Sequence, residues 1–436
     1  MRTRLHLTFQ SLTVRNYRLF ATGQLGKLIG IWMMFVAQDW LVLQLSGDSA
    51  SAVGLTVAMQ FTPVLLLTLI GGALADRYDK RKLLVIANAG VAVVATTLAV
   101  LVVTGAVELW HVFVSAAALG IANAIENPAR QSFISELVGS TLLPNALALN
   151  SAVFNSARII GPAAAGGAIA LFGLGPTFII ATVGVVAPLI SLTRIRPAEL
   201  LREPLPPRRA RAKVRIRDGI QYVWHRHDLV LPIVMIAIVG GAGFNFQVTL
   251  PVLSKVEYGT GAASFGLLAT ALAAGSLVGA LAGSWRRSRP SSYVVLGAAI
   301  GFGVSAMAVG FASPYWLVLI LLLPTGFFAI YFAQAANQRV QLGSDAAFRG
   351  RVMAIYILVF LGTTPAGALA VGWWAERFGA ESAIWLGGLA SVVAAGLALI
   401  WQLRRHNSQL KLQVRPPRLV VVAHESRQMA GAGTRG

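Results

Sequence analysis

Apolar runs of about twenty residues, each ended by a short polar stretch, recur about twelve times along the chain. They fall at 20–45, 52–75, 82–104, 109–127, 146–171, 175–193, 229–253, 262–285, 292–312, 315–338, 352–374 and 381–402. At 1.5 Å rise per residue, a run of that length spans a hydrocarbon core of about 30 Å. The pattern predicts an all-α membrane protein with twelve transmembrane helices. Residues 1–19 alternate Arg with scattered apolar positions and lack both a compact apolar core and a small-residue cleavage site. They are expected to form a surface-lying helix rather than a cleaved signal.

The longest polar interruption, 194–228, divides the chain into a first set of six spans (1–193) and a second (229–402). Its first part is rich in Arg and Pro. Its second part puts Ile220, Val223, Trp224 and His227 near one helical face, which suits a helix on the inner membrane surface or, alternatively, a solvated linker. Residues 403–436 are basic and carry Pro and Gly, a composition expected of a disordered cytoplasmic tail. The halves show an internal repeat: GALAD at 72–76 returns as GALAG at 279–283, and the same offset maps Gln131 onto Gln338. Two pseudo-symmetric six-helix bundles are the expected outcome.

Composition agrees, at 56% hydrophobic and 12% charged, too little polar surface for an ordinary water-soluble domain. The formal charge of +20 changes the picture only through its distribution. Roughly 32 of the 36 Lys and Arg precede the first span, follow the last, or fall in or at the edge of even-numbered connections, with Lys255 and Arg377 on the other side and Lys27 and Arg158 within spans. This bias predicts an inner-membrane, multi-pass protein with both termini cytoplasmic, and it accounts for the charge without nucleic acid. Cysteine is absent, which excludes disulfides and thiolate chemistry. Of the six His, only His111 lies near a span, beside Trp110 at an aromatic-belt position. No metal set, cofactor or nucleophile–base pair is indicated. GQLGKL at 23–28 lacks phosphate-loop spacing and opens a membrane span, so ATP is not implicated.

The junction GGALADRYDKRK at 71–82 resembles the loop 2-3 signature of the major facilitator superfamily, G-x-x-x-D-R-x-G-R-[RK]. Gly72, Asp76, Arg77, Lys80 and Arg81 match it in order, and Asp79 stands at the usual Gly, a residue type that tolerates the left-handed conformation. The resemblance implies the major facilitator fold. It also implies an inner gate in which Asp76 faces the start of span eleven, where Arg349 and Arg351 lie. Glu126, closing span four, is expected to pair with Arg77 or Arg81. A static surface ion cluster is the alternative for these residues.

Together with SLTVRNYRLFATGQL, AQDWLVLQL, ENPARQSF, NALALNSAVFNSARIIGP, RGRVMAIY and PAGALAVGWWAERFG, the motif is similar to the bacterial branch of enterobactin exporters and secretion-type carriers, over residues 11–403. That resemblance implies efflux of drug- or siderophore-type amphiphiles by alternating access. It also implies that spans one, four, seven and ten line the path. Gly161, Pro162 and Gly166 in span five resemble an exporter packing motif, with a wider spacing than usual.

Polar residues inside the spans point to a central cavity. Ser151, Asn155, Arg158 and Pro162 share one face of span five, and Ala157, Gly161 and Ala165 form a small-residue seam beside it. An Arg at that depth costs about 2.5 to 3.5 kcal/mol unless it meets water or an anion. Candidate substrate contacts are Gln38, Asn123, Asn155, Arg158, Asn245, Gln247, Gln334 and Asn337, with any single amide equally readable as an interhelical hydrogen bond. Asp39 is the candidate for proton coupling, or else an ordinary acid near the outer interface. The expected partners are a small-molecule substrate, the bilayer and protons, for a monomer. An uncoupled or uptake carrier, and a non-transporting scaffold or sensor, stay open.

Overall fold

The computed structural model describes residues 9–201, 216–286, 288–346, 348–405, 408–414 and 417–423. Among these, eleven helices are long and apolar enough to cross a membrane. One of them, Leu109–Phe172, is 64 residues long and turns sharply at Gly139 (φ 71°, ψ 177°), a backbone state open to glycine. Split there, eleven become twelve spans. They are α1 Arg15–Leu45, α2 Ala50–Arg77, α3 Lys80–Val103, α4 (109–138), α5 (140–172) and α6 Leu174–Arg194 in the first bundle. The second holds α7 His227–Glu257, α8 Ala262–Ser284, α9 Ser292–Phe311, α10 Tyr315–Gly343, α11 Arg349–Phe378 and α12 Ala380–Arg405. The end carrying the basic loops is called the basic end below, and the opposite one the far end.

Boundaries follow the apolar runs except where polar sequence continues a helix. The stretch after residue 127 stays helical to 138 because Phe133, Ile134 and Leu137 bury against Tyr17, Phe20, Leu84 and Leu192. This is a second small core at the basic end of the first bundle. The Tyr17 hydroxyl donates to the Ala146 carbonyl at 2.8 Å, and Phe20 meets Phe133 edge-on. The segment before span one therefore folds inward: α1 begins at Arg15, and Ser11 bonds the Asn145 side chain instead of lying on a surface. Residues 1–8 fall outside the described set.

Close packing repeats in both bundles. A Cβ at Gly120 would stand 2.2 Å from the Gln60 carbonyl, locking α4 to α2; at Gly326 it would stand 2.0 Å from the Leu272 carbonyl, locking α10 to α8. In the loop 2-3 motif the close approach belongs to Gly71, against the Ala124 carbonyl, while Gly72 faces open space. Asp79 does not use the left-handed region. It sits at φ −59°, ψ 116° and caps α3 by accepting from Lys82 N at 2.9 Å.

Helix α7 is irregular. Val239–Gly243 and Leu253–Glu257 are π-helical, and Phe244 and Asn245 between them leave helical geometry. Between spans six and seven, Ile216–Trp224 forms the short helix expected there. Its Val223 is buried and Tyr222 stacks flat on Phe348 at 4.4 Å, while Ile220 and Trp224 remain exposed. The arginine-rich first part of the connection, 202–215, lies outside the described residues. In the tail, Ser408–Val414 and Pro417–Ala423 pair as an antiparallel two-stranded ribbon where disorder was expected; alternation such as Leu410, Leu412, Val414 suits a strand. Residues 424–436 are not described.

Candidate functional site between the bundles

The two bundles meet along the far end and the middle of the spans. Gly54 of α2 abuts the Ala368 carbonyl and Gly372 of α11, and Gly166 of α5 lies against Ala262 and Gly266 of α8. Polar contacts reinforce this seam. Lys255 ion-pairs with Asp48 and lies 5.7 Å from the Trp40 ring centroid, and Glu376 accepts from Ser49 Oγ and Ser51 N, both at 2.9 Å. Trp40 stacks on Phe265 beneath them. At the basic end, by contrast, Asp76, Arg77 and Arg349 are exposed.

Below the Trp40–Phe265 pair lies a cavity of about 370 Å³, walled by α1, α2, α5, α7, α8, α10 and α11. Its lining is mostly apolar, with Trp32, Phe35 and Phe61 from the first bundle facing Phe244, Phe265 and Phe360 from the second. Asp39 and Arg158 are the charged residues on its wall, and Asn245, Gln247, Ser276 and Thr364 are its principal polar neighbours. Asp39 is 3% exposed and forms no hydrogen bond or ion pair with a described residue. The Arg158 guanidinium lies 5.8 Å from the Trp32 ring centroid, an aromatic face that favours a cation. It too has no ion pair among the described residues.

Of the sequence candidates, Asp39, Arg158, Asn245 and Gln247 converge on this cavity, together with Pro162. Asp39 is thus a wall residue of the cavity, next to Trp40 of the far-end seam. Gln38 is buried one position away, with its Oε1 lacking a partner. Asn155 bonds back to the Ser151 carbonyl in its own helix. Asn123, Gln334 and Asn337 are not on the cavity wall; Gln334 packs against Gly283. The seam forms as expected: Ala157 and Ala165 are fully buried, and Gly161 admits Trp32 of α1. Spans one, seven and ten line the cavity, but α4 does not, its place being taken by α5.

Glu126 departs from expectation. Rather than reaching Arg77 or Arg81, it is buried in an ion pair with Lys27 at 2.7 Å, with Arg130 at 3.6 Å on its other side. Helix α4 continues past Glu126, so its carboxylate faces α1 inside the bundle. Arg81 instead donates to the carbonyls of Leu192 and Thr193, closing the end of α6. Lys80 pairs with Glu136 at 2.5 Å. Arg349 reaches the Ser344 carbonyl, and Arg351 lies over Phe348.

Sequence reasoning missed the aromatic lining, the Lys27–Glu126 pair and the far-end latch. Lys255 carried a signal, being one of two cations expected on the outer side.

The comparisons with known proteins agree with this architecture. The profile of the family described as transmembrane secretion effector matches residues 8–430, nearly the whole chain and most of the tail. The chain belongs to that family of major facilitator transporters. It is 24% identical over 406 residues to the staphyloferrin A transporter of Staphylococcus aureus, covering 90% of this chain and 97% of that one. It is 28% identical over 375 residues to the multidrug efflux pump Tap of Mycolicibacterium fortuitum, covering 83% and 89%. Among solved structures, the nucleoside transporter NupG superposes with a TM-score of 0.71 at 12% identity, covering 88% of this chain and 99% of that one. A D-xylose–proton symporter gives 0.67 at 14%, covering 88% and 97%. At those identities the likeness shows the fold. The chain is therefore a membrane-embedded transporter of small molecules, not an enzyme.

Proposed function

We propose that this transporter is a proton-coupled efflux carrier for amphiphilic organic molecules, working as a monomer in the cell membrane with both termini in the cytoplasm. The observation that carries the reading is the cavity between the bundles, closed at the far end and holding Asp39, a carboxylate without an ion pair among the described residues. With the basic loops assigned to the cytoplasm, the structure is inward-facing, the state in which an exporter loads. Asp39 then exchanges a proton for substrate. The family membership and the Tap relative support export as the direction.

Closure of the basic end requires new contacts. In that state Asp76, at the end of α2, docks on the N-terminus of α11, whose Arg349 and Arg351 offset the unfavourable placement of an acid at a helix C-terminus. Gly72, which faces open space here, admits the approach. Opening of the far end breaks the Lys255–Asp48 and Glu376–serine contacts in the same motion. The broken helix α7 supplies compliance, since its π turns lie beside the cavity and beside Lys255.

The test is flux in inverted vesicles with an imposed proton gradient, using a panel of lipophilic dyes and siderophores. Gradient-dependent accumulation that vanishes on collapse of the gradient supports coupled export. Flux that persists after collapse would assign an uncoupled carrier, and movement only in the opposite direction would assign uptake. Asp76→Asn is expected to insert normally and to lose most of this flux.

A further inference from the structure

The cavity wall holds one acidic and one basic side chain, and no described residue forms an ion pair with either. Among the described residues, Asp39 accepts no hydrogen bond, and Arg158, which lies over the Trp32 ring, has no ion pair. Both come from the first bundle, and the helix they share as a reference sets the scale of their separation. Arg158 lies against Trp32, and Asp39 stands seven residues further along α1, two turns on the same face, or about 10 Å. The second bundle completes the wall without charge: α8 and α10 carry no Asp, Glu, Lys or Arg at cavity depth. It contributes aromatic faces and the Gln247 side chain, whose Nε2 is a buried donor without a partner.

A ligand with a single charge pairs one of these groups and leaves the other to a proton or to water. A neutral ligand pairs neither. Only a ligand carrying both signs, spaced to match, pairs each buried charge and fills the aromatic middle with its own apolar body. We infer that the cavity is built for a zwitterionic amphiphile whose cationic and anionic groups stand about 10 Å apart, the cation at Asp39 and the anion at Arg158. This rests on the carrier reading and names its substrate class.

The experiment uses the full chain in lipid nanodiscs and three probes sharing one aromatic body: a sulfobetaine with its quaternary ammonium and sulfonate about 10 Å apart, the ammonium alone, and the sulfonate alone. Permanent charges keep pH from altering the ligands. Binding is read by calorimetry. The sulfobetaine is expected to bind about tenfold tighter than either single-charge probe, the size of one charge-assisted contact. Arg158→Gln should erase its advantage over the ammonium, and Asp39→Asn its advantage over the sulfonate. Arg158→Lys should restore part of the first, which a merely structural role would not.

Three probes binding within twofold of one another would overturn the inference, as would either substitution weakening all three equally. The same probes in vesicles separate the two readings. A sulfobetaine preference in binding without any flux would remove the carrier reading and keep the charge pair. Equal flux of all three would keep the carrier and remove the pair.

Discussion

The two bundles share a packing scheme and divide the chemistry. Each locks a helix pair by setting glycine on a facing carbonyl, Gly120 on Gln60 and Gly326 on Leu272. Yet the first bundle supplies both charged residues on the cavity wall, Asp39 and Arg158, and buries the Lys27–Glu126 pair, whereas the second supplies none to that wall and holds its buried Arg339 at the basic end of α10. What the second bundle has instead is a broken helix, α7, and the greater share of the aromatic wall. A charge at membrane depth costs about 2.5 to 3.5 kcal/mol and survives where something uses it. The same geometry brings helices together in both bundles, while the charge on the cavity wall comes from one and the irregular helix from the other.

Removing half of the buried ion pair should expose that division most sharply. Glu126→Gln leaves Lys27 charged without its partner and is expected to destabilise the protein by about 3 to 5 kcal/mol. Thermal unfolding in detergent checks this, and Lys27→Met combined with Glu126→Gln should recover most of the loss. Second in size is Asp39→Asn. It should abolish gradient-driven accumulation in vesicles while downhill movement of substrate continues, and retained uphill accumulation would remove Asp39 from coupling.

A wedge in the seam tests the other half of the comparison. Gly54→Leu would drive a side chain into the Ala368 carbonyl, 2.5 Å from the new Cβ, at an overpacking cost of about 1 to 3 kcal/mol. The bundles should relieve it by parting at the far end and closing at the basic end. Cysteines introduced at Asp76 and Arg349 should then cross-link faster than in the parent. The smallest effect belongs to the latch: Lys255→Ala removes a partly exposed ion pair worth about 0 to 1 kcal/mol. The same cysteine pair should show a slight rise in cross-linking, with folding stability unchanged.

Much of the architecture was legible because lipid imposes one rule on every span. A helix must be apolar for about twenty residues, and interruptions such as GGALADRYDKRK show where it ends. The stretch from Asn127 to Asn145 was harder, since its polar residues read as a loop. Only the core around Phe133 and Tyr17 made it helical, and only Gly139 with its positive φ placed the turn. Asp39 and Arg158 drew attention as charges inside apolar runs, and both reached the cavity. Asn123, Gln334 and Asn337 drew the same attention and lie off its wall, because helix rotation, which one span's sequence does not fix, turns them elsewhere.

Chain order alone settled the number of crossings, their grouping into two sixes and the side on which the basic loops gather, since each depends on local hydropathy and charge. Which residues meet was decided by the packed bundles. Glu126 turned to Lys27 rather than to the loop 2-3 arginines, and α5 displaced α4 from the wall, because those pairings depend on helix rotation and on contacts more than ninety residues apart. No periodicity within a single span carries that information.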